Sequence, residues 1–211
     1  FFKGGASAMV DPNNPILRKF IRQVENDLEA GKIKGIGEIF INKNSKKEQK
    51  HNRKVEADAP IFHDLYQLLA KHNAFLTFHM EGDSDSMRQM ENLLKSDRGG
   101  RILWNHCGTN TSSSDVRKLL ERNSNLFCEL SKRYLVKGNQ RNIFSESRVD
   151  SGWLELIEDF PDRFMIGTDA HNANDYRKYV KAVRSGLLAN LSDETAEKVA
   201  YKNAQHLFGL E

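Results

Sequence analysis

The sequence predicts an α/β protein built on a parallel sheet, and three observations point that way. Six short apolar runs alternate with amphipathic stretches of about ten or more residues along the 211-residue chain, the pattern of successive βα units. Four of those runs close on a side chain able to bind metal: Glu38, His79, His106 and Asp169. A hydrophobic fraction of 38% with 9% aromatics supplies enough apolar surface for an ordinary globular core. A doubly wound sheet and a (β/α)₈ barrel both satisfy this pattern. In either one, ligands bind at the carboxyl ends of the strands, where all four residues fall.

Taken in order, Gly5–Val10 is a small-residue apolar run ending at Asp11-Pro12, which predicts a short strand and turn. Ile16–Ala30 follows Pro15 and places Ile16, Leu17, Phe20, Ile21, Val24 and Leu28 at helical spacing, with Gly31 as the stop. Ile33–Ile41 is a strand carrying Glu38, and it leads into Asn42–Lys54, a polar loop dense in lysine. Pro60–Asn73 is a second amphipathic helix, and Phe75–His79 is the strand behind it. Ser86–Ser96 puts Met87, Met90, Leu93 and Leu94 on one face. Ile102–His106 is the next strand, after the Gly99-Gly100 turn, and Ser114 offers a cap to a helix running through Arg122.

Leu126–Leu130 is a further strand, followed by Ser131, Lys132 and Arg133. Tyr134–Asp150 is polar and irregular, with a short helix at Gly152–Phe160. Phe164–His171, reading FMIGTDAH, delivers Asp169 from a buried strand. Helices at Asp175–Leu188 and Ser192–Phe208 finish the chain, the second opening on a capping box. No internal repeat or linker interrupts this alternation, so residues 1–211 are expected to form a single domain.

Bulk properties exclude several classes. The net charge of +3 is too small to identify a nucleic-acid or membrane partner. No apolar run reaches the roughly 18–20 residues of a membrane-spanning helix. The opening residues FFKGGASAMV are too short and glycine-rich for a signal-peptide core. The expectation is a cytoplasmic protein without a membrane partner. Cys107 and Cys128 lie in apolar strand candidates without a nearby cysteine and read as buried free thiols.

Two histidines and two carboxylates are the right donors for a divalent transition metal, and a catalytic site keeps a position open for water. Zinc lowers the pKa of bound water to roughly 7, and a neighbouring carboxylate can take its proton. Asp169 is assigned both to the metal and to that proton. Lys132 and Arg133, just past a strand end, are placed to grip a substrate carboxylate or phosphate, Arg133 in two-pronged fashion. Asn105 and His171 complete the substrate-contacting set. The basic stretch Lys43–Lys54 raises the alternative of a phosphate substrate or nucleic acid. Lacking interleaved aromatics to stack bases, it favours neither, and a small-molecule substrate is expected.

The residues GIGEIF at Gly35–Phe40, TFH at Thr77–His79, NHCG at Asn105–Gly108, GTDAH at Gly167–His171 and NAQHLFGL at Asn203–Leu210 together resemble the amidohydrolase superfamily, its TatD-type branch included. The resemblance covers nearly the whole chain and implies a TIM (β/α)₈-type barrel whose strands three to eight are present. It implies that Glu38, His79 and His106 hold metal on the fourth, fifth and sixth strands, with Asp169 on the eighth. It further implies a hydrolase of amide, ester or lactone bonds using one or two divalent ions, zinc first and manganese or magnesium as alternatives. The family's first strand carries a His-x-His pair, and none occurs in these residues; the expectation is therefore an N-terminally incomplete barrel. Asp169-Ala170-His171 also resembles the terminal pair of the histidinol-phosphatase group of metal phosphoesterases, which keeps a phosphoesterase or DNase as the alternative reaction and a non-catalytic barrel as a third.

Overall fold

A computed structural model describes residues 14–43, 53–134 and 142–210. The predicted strand at Gly5–Val10 and most of the basic stretch at Lys43–Lys54 lie outside the described residues. A five-stranded parallel sheet runs in the order β1 (Gly35–Phe40), β4 (Phe75–His79), β5 (Arg101–Asn105), β6 (Leu126–Glu129) and β7 (Phe164–Met165). A short antiparallel pair, β2 (Asn42–Lys43) and β3 (Arg53–Lys54), stands apart from it. Strands that neighbour in sequence also neighbour in the sheet, as in a singly wound barrel wall. The described residues group into two compact units, one up to Leu103 with Asn123–Leu126, the other Trp104–Arg122 and the chain from Phe127.

In the first unit, α1 (Pro15–Glu29) starts with proline at its first position and with the Asn14 side chain accepting from the Ile16 amide at 2.9 Å. It buries Leu17, Val24 and Leu28. β1 runs parallel to β4 from Gly35 opposite Phe75 to Phe40 opposite His79, with a slip in register between Ile36 and Ile39. At Gly37 a side chain would run into Thr77, so this close approach requires glycine beside Glu38. The α2 helix (Pro60–Lys71) buries Ile61, Phe62, Leu65, Tyr66 and Leu69 and packs on β4 and on the helix that follows it. Asp83 caps α3 (Ser84–Ser96) by accepting from the Ser86 amide at 3.0 Å. Buried Asn125 gathers this layer, its amide reaching the Tyr66 hydroxyl at 3.0 Å and the carbonyls of Leu94 and Gly100 at 3.1 and 3.0 Å. Burial pushes the Tyr66 phenol well above its usual range.

In the second unit, α4 (Ser113–Arg122) is capped by Ser112, whose hydroxyl accepts from the Asp115 amide at 3.1 Å. The cap is thus two residues earlier than Ser114, because Ser112 is the residue placed three before a free helical N–H. The α5 helix (Ser151–Asp159) packs on α4, and Asp150 caps it. Beyond β7 come α6 (Ala173–Ala182), α7 (Asp193–Glu197) and α8 (Asn203–Phe208), separated by one-turn π-helical segments at Val183–Leu187 and Lys198–Lys202. The long helices expected there are each broken by such a turn, which hydropathic spacing does not register. The terminal motif has a structural reason: Asn203 donates to the carbonyls of Phe164 and Pro161 at 2.7 Å each, pinning α8 to the start of β7. Gly209 closes α8 in the left-handed conformation at φ 60°.

Cys107 and Cys128 are joined by a disulfide, with Cα atoms 4.9 Å apart, which corrects their reading as free thiols. They are 21 residues apart in sequence, and only the return of the chain through α4 brings the two together. Closing a loop of that length is worth about 3 kcal/mol. Cys128→Ser is accordingly expected to lower the melting temperature by roughly 6–12 °C, and reduction of the wild type by a dithiol should do the same. An unchanged transition in differential scanning calorimetry under both conditions would contradict the bond.

Candidate functional site

Glu38 lies inside β1, within the slip in register between Ile36 and Ile39, with its side chain 31% exposed. His79 closes β4, and its Nδ1 lies 2.9 Å from Glu38 Oε1. The ring of Phe40 stacks on the His79 imidazole at 4.7 Å between centroids, and Ile41 donates its amide to the His79 carbonyl at 3.0 Å. The first contact braces the imidazole ring, and the second holds the His79 backbone. The β1–β4 register explains them, since it sets Phe40 directly across from His79.

His106 follows β5 with φ 59°, a left-handed turn shared with Cys107 at φ 47°. It is buried, and its Nδ1 lies 2.8 Å from the Ser131 hydroxyl. Glu129, at the end of β6, accepts from the His106 amide at 3.3 Å, the Ser131 amide at 2.5 Å and the Ser131 hydroxyl at 2.7 Å. Burial pushes the Glu129 carboxyl up, opposed by the bonds from Ser131 and by the nearby His106. A side chain at position 167 would overlap the Glu129 carboxylate, so the glycine that precedes Thr168 and Asp169 leaves room for it. Glu129 and Ser131 escaped the sequence reading. The only signal for them was a carboxylate closing a strand candidate, the same signal that singled out Glu38.

Asp169 sits at φ 42° beyond β7. Lys132 Nζ is 3.2 Å from its Oδ2 and donates to its carbonyl at 3.0 Å, while lying 3.3 Å from His171 Nε2. Lys132, Tyr134, Thr168, Asp169, Lys178 and Tyr179 line a cleft of about 560 Å³. The Tyr179 hydroxyl donates to the Leu130 carbonyl at 2.9 Å, and burial with Glu129 nearby pushes its phenol up. Asn172, not Asp169, caps α6, accepting from the amides of Asn174 and Asp175 at 3.0 Å each. Asn105 closes β5, half-buried, and His171 is exposed.

The substrate-gripping role expected of Arg133 does not match its surroundings. Its side chain is 0% exposed; the guanidinium donates to the carbonyls of Gly108 and Thr111 at 3.3 and 3.0 Å and lies 4.5 Å from the Trp153 ring. Burying a guanidinium requires such partners, and they commit Arg133 to holding the loop after β5.

One carboxylate oxygen of Glu38 and one ring nitrogen each of His79 and His106 lie within 4.8 Å of one another. Among the described residues that cluster does not include Asp169. One oxygen and two imidazole nitrogens at this spacing are a donor set that would suit a divalent ion.

The family model for amidohydrolases matches residues 1–210. A search of curated proteins finds no match. Among solved structures, an uncharacterised TIM-barrel protein of Bordetella bronchiseptica is similar at a TM-score of 0.63 and 13% identity, covering 91% of this chain and 62% of its own. A probable 2-pyrone-4,6-dicarboxylic acid hydrolase of Acinetobacter baumannii gives 0.57 and 14%, covering 93% and 79%. A dihydroxybenzoic acid decarboxylase of Polaromonas sp. JS666, with bound manganese and the inhibitor 2-nitroresorcinol, gives 0.53 and 12%, covering 90% and 64%. The chain thus spans less than two thirds of the length of the first and third. The shared architecture is the TIM-barrel α/β fold.

Proposed function

This chain belongs to the amidohydrolase family, and on that premise we propose that it is a metal-dependent hydrolase acting on an amide, ester or lactone bond of a small molecule. The observation that carries this reading is the Glu38, His79 and His106 cluster within 4.8 Å. A divalent ion held there would supply Lewis acidity, enough with zinc to bring water to a pKa of roughly 7.

The chain's own groups supply the rest. Glu38 and His79 are held in mutual contact at 2.9 Å, with the Phe40 ring behind the imidazole, so two of the three donors need little reorganisation to bind. In this reading Asp169, which lines the 560 Å³ cleft, would join the metal's ligands and serve as the oxygen base that accepts a proton from water. Lys132 holds that carboxylate through its 3.2 Å ion pair. The cleft receives the substrate, with Lys132 and Lys178 as its cations and Tyr134 and Tyr179 as its aromatic wall. Asn105 and His171 are proposed as further substrate contacts.

The Acinetobacter relative is named for hydrolysis and the Polaromonas one for decarboxylation, so the competing reaction on this fold is loss of carbon dioxide. The test is a panel of an aryl ester, a lactone, an amide, a phosphodiester and a dihydroxybenzoic acid, run on protein loaded with Mn²⁺ or Zn²⁺. Metal-dependent cleavage of one of the first three supports hydrolysis. Carbon dioxide release alone replaces it with decarboxylation, and phosphodiester cleavage alone replaces it with the phosphoesterase alternative.

A further inference from the structure

The geometry points to Glu129 and Ser131 as a positioning pair that holds His106 as the Nδ1–H tautomer, making Nε2 the nitrogen offered to a divalent cation. The inference rests on the metal reading above and adds to it two residues that touch no metal themselves.

The polarity follows from counting donors. The two oxygens of Glu129 are met by three: the His106 amide, the Ser131 amide and the Ser131 hydroxyl. These converging donors favour the ionised carboxylate against its burial, and a carboxylate accepts all three. Ser131 has one hydroxyl proton, and at 2.7 Å it goes to Glu129 Oε2, so the same oxygen has only acceptor capacity left for the imidazole 2.8 Å away. His106 Nδ1 is then the donor, and a neutral imidazole protonated at Nδ1 carries its lone pair on Nε2. The chain of hydrogen bonds runs in one direction, from His106 through Ser131 to Glu129.

Any side chain at position 167 would occupy the space of the Glu129 carboxylate, so the fold keeps a glycine in place to admit a carboxylate that is costly to bury. An apolar residue would fill that space without the cost. What the carboxylate adds is an acceptor at the end of a relay whose other end is His106. Ligating histidines elsewhere are oriented in this way through their second nitrogen.

The test uses the full chain, metal-free, labelled with ¹⁵N-histidine, with His106 assigned from the signal missing in His106→Gln. The expected spectrum shows His106 protonated at Nδ1. Ser131→Ala is expected to give a mixture of tautomers and to weaken Mn²⁺ or Zn²⁺ binding by roughly 10–100-fold in calorimetric titration. Ser131→Thr, which keeps the hydroxyl, should restore both, and Glu129→Gln should repeat the defect. Circular dichroism confirms that each variant is folded. A wild-type His106 protonated at Nε2 overturns the inference, as does a Ser131→Ala variant with wild-type tautomer and affinity. If the wild type shows the expected tautomer yet binds no metal, the metal centre is overturned while the direction of the relay stands.

Discussion

His106→Ala is expected to leave the protein folded and without stably bound metal. The imidazole is one of three donors whose ligand atoms lie within 4.8 Å of one another, and an alanine offers nothing in its place. The loss should exceed the roughly 10–100-fold penalty typical of removing an outer partner, so metal content measured by mass spectrometry after desalting should fall to background. Stability should drop as well, because His106 is buried and its removal leaves Ser131 without its ring partner. A lost hydrogen bond of that kind costs about 1–3 kcal/mol. Chemical denaturation separates the two effects. A variant that melts somewhat earlier yet retains full metal would contradict the assignment of His106.

The second large effect concerns Asp169. Asp169→Asn preserves shape and can still offer an oxygen, but an amide cannot take a proton at neutral pH. Turnover is expected to fall by roughly 10²–10⁴-fold, with most of the metal retained. Fold stability should barely change, since the ion pair with Lys132 joins side chains that are 35% and 42% exposed and such pairs contribute about 0–1 kcal/mol. The combination distinguishes a proton acceptor from a structural carboxylate. A normal kcat in the folded, metal-loaded variant would refute that role.

Much of this site was legible because strand ends are where sequence pattern and chemistry coincide. Runs such as FLTFH and ILWNH announce both a buried strand and the donor that closes it, and the structure brings His79 and His106 together with Glu38. Of the run that carries Asp169, only Phe164–Met165 pairs in the sheet. What sequence could not show depends on contacts between distant residues. The Cys107–Cys128 pairing needs the chain to pass through α4 and return. Glu129 looks no different from any acidic residue at the end of a short strand until Ser131 and His106 meet it. Arg133 illustrates the opposite error. Its position beside Lys132 predicted a shared role, but successive residues past a strand end face different ways, and Arg133 turns inward to Trp153 while Lys132 turns to Asp169.

Metal stoichiometry decides whether Glu38, His79 and His106 hold a divalent ion. The wild type, loaded with Mn²⁺ or Zn²⁺ and desalted, is compared with a Glu38→Gln/His79→Ala/His106→Ala variant shown by circular dichroism to be folded. At least one equivalent in the wild type and background in the variant is the predicted result. No retained metal in the wild type, or equal metal in the two proteins, would contradict the account.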